Sequence, residues 1–409
     1  MNIWFFNHYA VPTSLYPLAR PYHFANRLQK KGHKVTIFAA SSVHLSDVNL
    51  ITDGSPMKAR KIDGLRYVFL KARNYEGNGI DRILNFFDYT LRLFTQTRKF
   101  NPPDVIMATC VHPLACAAGI LLARKYRCRC VLEIADLWPL TLMEYGAMKE
   151  GQPVTRALYA LEHWLYKKAD AVVFTMQGGK RYIEDMGWAK DVDLDKIYYI
   201  NNGVDLDLYH RQRKECILAD EDLDRTDTFK VMYTGSMGIA NSVRDILDAA
   251  DLLREYPAIQ FFLYGAGYQE EELKAYCREK KITNVTFKGR VDKQYIPGIL
   301  SRGNVNMLTG PSDRVSYYGM SMNKMFDYMA SERPTISNIE TQNDIFLENE
   351  CGVTIHPGDP KEMADMILRF YRMDKDEYQS YCDHAREAVK HYDFKYLTDD
   401  LEKILTGEE

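Results

Sequence analysis

Short apolar runs separated by amphipathic stretches recur along the whole chain, the pattern of β/α units that build parallel sheets. Residues 2–6 (NIWFF) predict a first buried strand, the stretch up to about Lys31 a helix, and GHKVTIFAAS a second strand, with Gly32 placed to end the helix. Further strands are expected at 104–109, at 130–135 and in AVVFT and IYYI, with helices over Leu114 to Arg124, 154–168 and about 179–186. The charged stretch 211–228 reads as an exposed connection between domains. A second series follows, in which FKVMYT, IQFFLY, NVTFKG, NVNMLTG, PTIS and GVTIH predict strands, with helices near 360–370 and 376–390. The fold class expected is α/β, with two Rossmann-like domains.

Residues 80–100 place Ile83, Leu84, Phe87, Leu91 and Phe94 on one helical stripe, with Arg82, Arg92, Arg98 and Lys99 around it. A core-facing helix is the first expectation, and an interfacial helix lying on a membrane is the second.

In an open parallel sheet the loops at the carboxyl ends of the strands form the binding crevice. That rule puts Asn7, His8, Arg20, His112 and Asp136 there. His112 reads as an acceptor contact or a loop-capping imidazole. Asp136, before a Leu-Trp-Pro turn, either caps that turn or acts on a substrate proton. In the second half, residues 312–336 run from a polar loop into a helix and then a strand. Met325, Phe326, Met329 and Ala330 form its packing face and leave Asn323, Lys324 and Asp327 near the first turn. Unpaired N–H groups and the helix dipole favour an anion there, although a solvated surface lysine would look the same. Gly235 and Gly238 let backbone approach phosphate oxygens ahead of a helix. Gly265-Ala266-Gly267 lacks the third glycine of a dinucleotide fingerprint, which argues against NAD. Asp205-Leu206-Asp207 reads as turn chemistry and not as a metal site.

Composition narrows the class. The chain has 409 residues, 46% of them hydrophobic, and a net charge of −3, enough core for two domains and too apolar for disorder. Residues 1–200 hold 27 Lys+Arg against 18 Asp+Glu, net +9, and residues 201–409 hold 26 against 38, net −12. A basic half suits an anionic membrane surface, unless the charge is spread evenly. No nucleic-acid signal appears. Eight cysteines without a C-x-x-C pair imply reduced thiols and no zinc site. MNIWFFNHY lacks a secretory n-region, and the longest apolar run, Leu114 to Ala123, falls short of the roughly 18 residues a membrane span needs.

The string Ser321, Asn323, Lys324, Phe326, Asp327, Tyr328, Met329, Ala330 resembles the nucleotide-sugar motif of family 4 glycosyltransferases of the GT-B fold, in the fucosamine-transferase-like branch of O-antigen and capsule synthesis. The resemblance implies that Asp327 binds the ribose hydroxyls. Gly319 stands where the wider family has a first Glu. Asp136-Leu137-Trp138-Pro139 resembles the same branch at its acceptor site, with Ala135 in place of an Arg. Gly265 and Gly267 resemble a donor-site Gly-x-Gly, and Arg290-Val291 a segment whose backbone lies along the nucleobase. Lys30 to Thr36, Asn202 to Asp205 and the final segment from His391 also resemble family signatures in the same order. The family's Gly-Gly pair in the first loop and its Arg and Lys after the 229–234 strand are missing. The implied layout is an acceptor-binding domain over 1–200 joined by a crossing helix at about 391–409, and a nucleotide-sugar domain over 201–390, with the sheets facing across a cleft.

The function this implies is retaining transfer of a sugar from a nucleotide-diphosphate sugar, a UDP-sugar first, to a glycan acceptor on a polyprenyl diphosphate. Gly235, Ser236, Gly238, Ser321, Asn323 and Lys324 would hold the donor, Asn7, His8 and Arg20 the acceptor, and Asp136 and His112 would act at the reacting hydroxyl, with no metal and no cofactor. The expected location is the cytoplasm or the inner face of the membrane. A nucleotide-sugar 2-epimerase and a non-catalytic scaffold for a partner transferase are the alternatives.

Overall fold

The computed structural model describes residues 1–408 apart from 13, 14, 16–19, 45, 78 and 312. Part of the first loop, and Ser312 at the head of the 312–336 stretch, thus lie outside the described residues. The chain divides into two compact units, Met1–Asn201 with Phe394–Glu409, and Asn202–Asp393.

The N-terminal unit holds β1 (Asn2–Phe6), β2 (Lys34–Ala40), β3 (Met57–Ile62), β4 (Leu65–Leu70), β5 (Val105–Thr109), β6 (Arg129–Ile134), β7 (Ala171–Phe174) and β8 (Ile197–Tyr199). They form one sheet in the order β3-β4-β2-β1-β5-β6-β7-β8, parallel except for the β3–β4 hairpin. Ile3, Trp4, Phe5 and Phe6 are all buried, which explains why β1 reads as an unbroken apolar run: helices cover both faces of a parallel sheet. Helix α1 (Arg20–Lys30) buries Phe24, Ala25 and Leu28. It stops where Gly32 adopts φ +92°, and the His33 N–H turns back to the Leu28 carbonyl at 3.1 Å. The last helix, Phe394–Thr406, adds Phe394, Leu397, Leu401 and Ile404 to the same core.

Helix α2 (Ile80–Gln96) reverses the first expectation. It buries Asn85, Phe86, Tyr89, Leu93 and Gln96, while Ile83, Phe87 and Leu91 of the apolar stripe are 52%, 55% and 61% exposed. The reason lies in hydrogen bonding: Asn85 and Tyr89 find partners inside, so polarity did not keep that face in water.

The C-terminal unit holds β9 (Phe229–Thr234), β10 (Ile259–Tyr264), β11 (Val285–Gly289), β12 (Val305–Leu308), β13 (Thr335–Ser337) and β14 (Gly352–Thr354), all parallel, in the order β11-β10-β9-β12-β13-β14. The stretch 211–228 is no bare connection. It contains the end of helix Leu206–Glu215 and a short helix Glu221–Asp224. Between them Asp220 takes hydrogen bonds from Tyr264 Oη at 2.6 Å and Lys288 Nζ at 2.7 Å, tying the segment to β10 and β11.

Candidate functional site

In the N-terminal unit the loops after β1 and β5 bring two buried imidazoles together. Asn85 Nδ2 donates to the Arg73 carbonyl and to Ser42 Oγ (2.8 Å). A carbonyl can only accept, so the amide orientation is fixed and Oδ1 faces His8 Nε2 at 2.6 Å. Burial lowers His8 to about 3 against the opposing Asn85 bond, with Arg82 and His44 adding to the fall. It holds His112 well below its ordinary value too, with His8 and Arg82 contributing. Both rings are therefore neutral near pH 7. His8 carries its proton on Nε2, its Nδ1 accepts from His112 Nε2 at 3.1 Å, and His112 Nδ1 is left a buried acceptor without a hydrogen-bond partner among the described residues. Phe86 stacks on His112 at 4.2 Å.

Around this pair lies a second layer. Tyr9 stacks on His44 at 4.4 Å, and Arg82 donates to Tyr9 Oη at 2.9 and 3.1 Å. Asn7 is a turn residue, its Oδ1 accepting from the Tyr9 N–H at 3.1 Å. Arg20 is buried as a clamp: Nε donates to Glu133 Oε1 at 2.7 Å and the other guanidinium nitrogens to the carbonyls of Ile200 and Asn201. Asp136, just past β6, is exposed and makes no hydrogen bond to a described residue, so no side-chain cap of the following turn is formed. Surrounding protein raises its carboxyl above the ordinary value and Arg82 opposes the rise. Because water reaches the group, that rise does not amount to neutrality.

In the C-terminal unit helix Asn323–Ala330 starts without a side-chain cap. Lys324, in its first turn, is half-buried. Its Nζ donates to Asn241 Oδ1 at 2.6 Å and sits 4.9 Å from the Tyr233 ring centre, with no carboxylate within ion-pair distance among the described residues. Burial brings the ammonium down to about 7. Asn241 also donates to Ser236 Oγ at 2.9 Å. Thus Ser236, Asn241, Lys324 and the uncapped N–H groups converge beside Gly235, whose added Cβ would lie 3.6 Å from Lys324 Nζ. Asp327, one turn on, is half-buried with a carboxylate that has no hydrogen-bond partner among the described residues. Burial raises it and Lys293 opposes. Tyr328 Oη grips Thr234, accepting from its N–H at 3.0 Å, which fixes the helix against β9.

The glycines have a packing cause. A Cβ on Gly265 would lie 1.7 Å from the Gly235 carbonyl oxygen, and one on Gly267 would lie 2.1 Å from that of Met237. A Cβ on Gly238 would meet the Tyr268 ring at 3.0 Å. The loops after β9 and β10 press backbone to backbone, joined by Met237 N–H to Ala266 O at 3.0 Å. Ser321 Oγ accepts from the Asn202 N–H at 2.8 Å, which anchors the segment before the helix. Asn323 and Arg290 are exposed, and Val291 is half-buried against the core. Sequence reasoning missed Asn85, Arg82 and Asn241. For Asn241 the Asn-Ser pair opening helix Val243–Leu252 was a signal; nothing local marked Asn85. Among the described residues no cluster suits a metal ion and no helix is long and apolar enough to cross a membrane.

Residues 21–208 match the model of the family described as Glycosyltransferase Family 4, and residues 228–373 that of Glycosyl transferases group 1, together well over half of the chain. The chain belongs to glycosyltransferase family 4. The enzyme is 24% identical over 226 residues to the putative colanic acid biosynthesis glycosyl transferase WcaI of Escherichia coli strain K12, a match taking in 53% of this chain and 54% of that protein's length. It is 21% identical over 302 residues to the probable glycosyltransferase WbjE of Pseudomonas aeruginosa, covering 72% of each. Anabaena HepE, solved with UDP and glucose, aligns over 100% of both chains with a TM-score of 0.68 at 13% identity, a likeness of fold alone. The fold is GT-B. These likenesses favour neither an epimerase nor a scaffold.

Proposed function

We propose that this glycosyltransferase moves a sugar from a UDP-sugar to a glycan acceptor carried on a polyprenyl diphosphate, in the synthesis of a bacterial surface polysaccharide. The observation that carries the donor half is the Lys324 ammonium, half-buried with no carboxylate among the described residues to neutralise it, at an uncapped helix N-terminus. Such a cation is costly until an anion arrives, which is the electrostatic signature of a diphosphate site. Ser236 and the Gly235 backbone line the same place, and Asp327 offers a free carboxylate to ribose hydroxyls. Arg290 and Val291 would lie along the base. The UDP and glucose solved with HepE and the colanic acid named for WcaI support the donor and the product class.

In the reaction the bond from the anomeric carbon to the diphosphate oxygen breaks and one to the acceptor oxygen forms on the same face. The acceptor proton passes to the departing phosphate oxygen. Lys324 stabilises the charge that grows on that oxygen. Asp136 orients the acceptor hydroxyl as an exposed carboxylate, while His112, fully buried against His8, shapes the loop behind the site. Arg20, held by Glu133 and two carbonyls, serves the framework in this reading. Association with an anionic membrane is supported by α2, whose Ile80, Ile83, Phe87 and Leu91 all face solvent.

A thermal-shift panel of UDP, GDP and UDP-sugars tests the proposal. A nucleoside diphosphate at 100 times its Kd should stabilise the protein by about 2.7 kcal/mol. No shift with any member of the panel contradicts it.

A further inference from the structure

The amino-terminal edge of the first sheet, opposite the crevice loops, holds a groove of about 890 Å³. Its floor is a row of residues in register across four strands: Trp4 beside Thr36, Thr36 beside Arg66, and Arg66 beside Lys61. Residues directly paired in this way share one face of the sheet. Lys34, Arg60 and Lys99 complete the basic lining, and Phe100 closes one side with Arg66 5.0 Å above its ring.

Two features show that this charge is not ordinary surface decoration. Lys61 and Arg66 stand directly opposite each other in the antiparallel β3–β4 pair, where like charges repel at close range. Also, none of the five cations forms an ion pair with a described residue. Lys99 reaches only Gln96 Oε1, at 2.8 Å. Of the nearby acids, Asp104 is engaged by the Asn2 N–H at 2.6 Å, and Asp63 sits in the hairpin turn itself. Five of the 27 Lys and Arg of residues 1–200 thus line this groove without an ion pair to a described residue.

We propose that this groove is a second anion site, one that binds phosphate groups, built from other residues than the proposed diphosphate site of the C-terminal unit. The shared chemistry is a phosphate oxyanion held by guanidinium and ammonium groups. It can come from a lipid headgroup or from a soluble phosphate. The groove is independent of the proposed donor chemistry, since all its residues lie in the N-terminal unit.

The test uses the full chain and two double variants, Lys61→Gln/Arg66→Gln and Lys61→Gln/Lys99→Gln, all at exposed side chains. One arm titrates sodium pyrophosphate calorimetrically into UDP-saturated protein. The other measures flotation with vesicles of phosphatidylglycerol in phosphatidylcholine, against phosphatidylcholine alone. Each cation lost near an anionic surface weakens binding about fivefold, so a double variant should lose about 25-fold. Loss confined to vesicles assigns the site to lipid headgroups, and loss confined to pyrophosphate assigns it to soluble phosphate; either supports the groove. A parent that binds neither probe, or folded variants that bind both as tightly as the parent, overturn it. UDP binding is followed in the same samples. Its absence from the parent counts against the donor site only, and pyrophosphate is then titrated without UDP.

Discussion

Lys324 Nζ lies 2.6 Å from Asn241 Oδ1, and no carboxylate among the described residues shares the cation. A neutral amide can position an ammonium but cannot compensate its charge, so burial brings Lys324 down to about 7. A bound diphosphate should push it back up. Only the protonated lysine serves the anion, so its contribution to UDP affinity should be full below pH 7 and weaken as pH rises above it, by up to roughly tenfold per unit until the bound-state value is reached. Calorimetry at pH 8 in two buffers of different ionisation enthalpy should show uptake of close to one proton, about the neutral fraction of a group titrating near 7. Constant affinity from pH 7 to 9 with no uptake contradicts the assignment.

The His8–His112 pair depends on Asn85, which supplies the acceptor that puts the His8 proton on Nε2. Asn85→Ala leaves that N–H and the Arg73 carbonyl unsatisfied in the interior and should cost about 1–3 kcal/mol in denaturant unfolding. UDP affinity should stay the same, because these residues belong to the other unit. A variant as stable as the parent would show that the pair is not held by this amide.

Glu162 gives a pH effect of the opposite origin. Its carboxyl is 3% exposed, with Tyr166 and Tyr182 hydroxyls at 2.6 and 2.8 Å, and burial raises it to about 8. The folded state holds this proton more tightly than the unfolded chain. Its stabilising contribution is full below about pH 4.5 and is lost as pH rises towards 8, at up to 1.4 kcal/mol per unit. Glu162→Gln removes that slope, so the variant should be more stable than the parent at pH 8 and no better at pH 5. Parallel stability profiles contradict the burial argument.

Most strands of both units were legible in the sequence, because buried parallel strands leave apolar runs such as Ile3 to Phe6, but the β3–β4 hairpin and the order of the strands were not. Lys324 and Asp327 were proposed for the donor site from a motif on a helix with clear periodicity, and the structure puts both on helix Asn323–Ala330. What sequence hid was long-range hydrogen bonding. Asn85 lies 77 residues from His8 and Asn241 lies 83 from Lys324, and neither spacing has a local signature. The same blindness misplaced α2, where a polar face satisfied by distant partners was buried in preference to the apolar stripe. Arg20 was correctly set near the strand ends, yet only the carbonyls of Ile200 and Asn201 reveal that it is a clamp.

For Asp136, the structure shows an exposed carboxylate without a turn cap, so the Asp136→Asn variant should keep its melting temperature and UDP affinity. Transfer should fall by roughly 10²-fold, because an amide holds no charge to orient the acceptor hydroxyl. Near-parental transfer by the folded variant would remove Asp136 from the mechanism.

The donor site is tested most directly by measuring UDP and uridine affinities side by side for the parent and Lys324→Ala. A charge-assisted contact to phosphate is worth about 1.5–3 kcal/mol, so UDP should weaken by roughly 10- to 100-fold while uridine stays within about twofold. Equal losses for both ligands, or unchanged UDP affinity in the folded variant, would contradict a diphosphate held by Lys324.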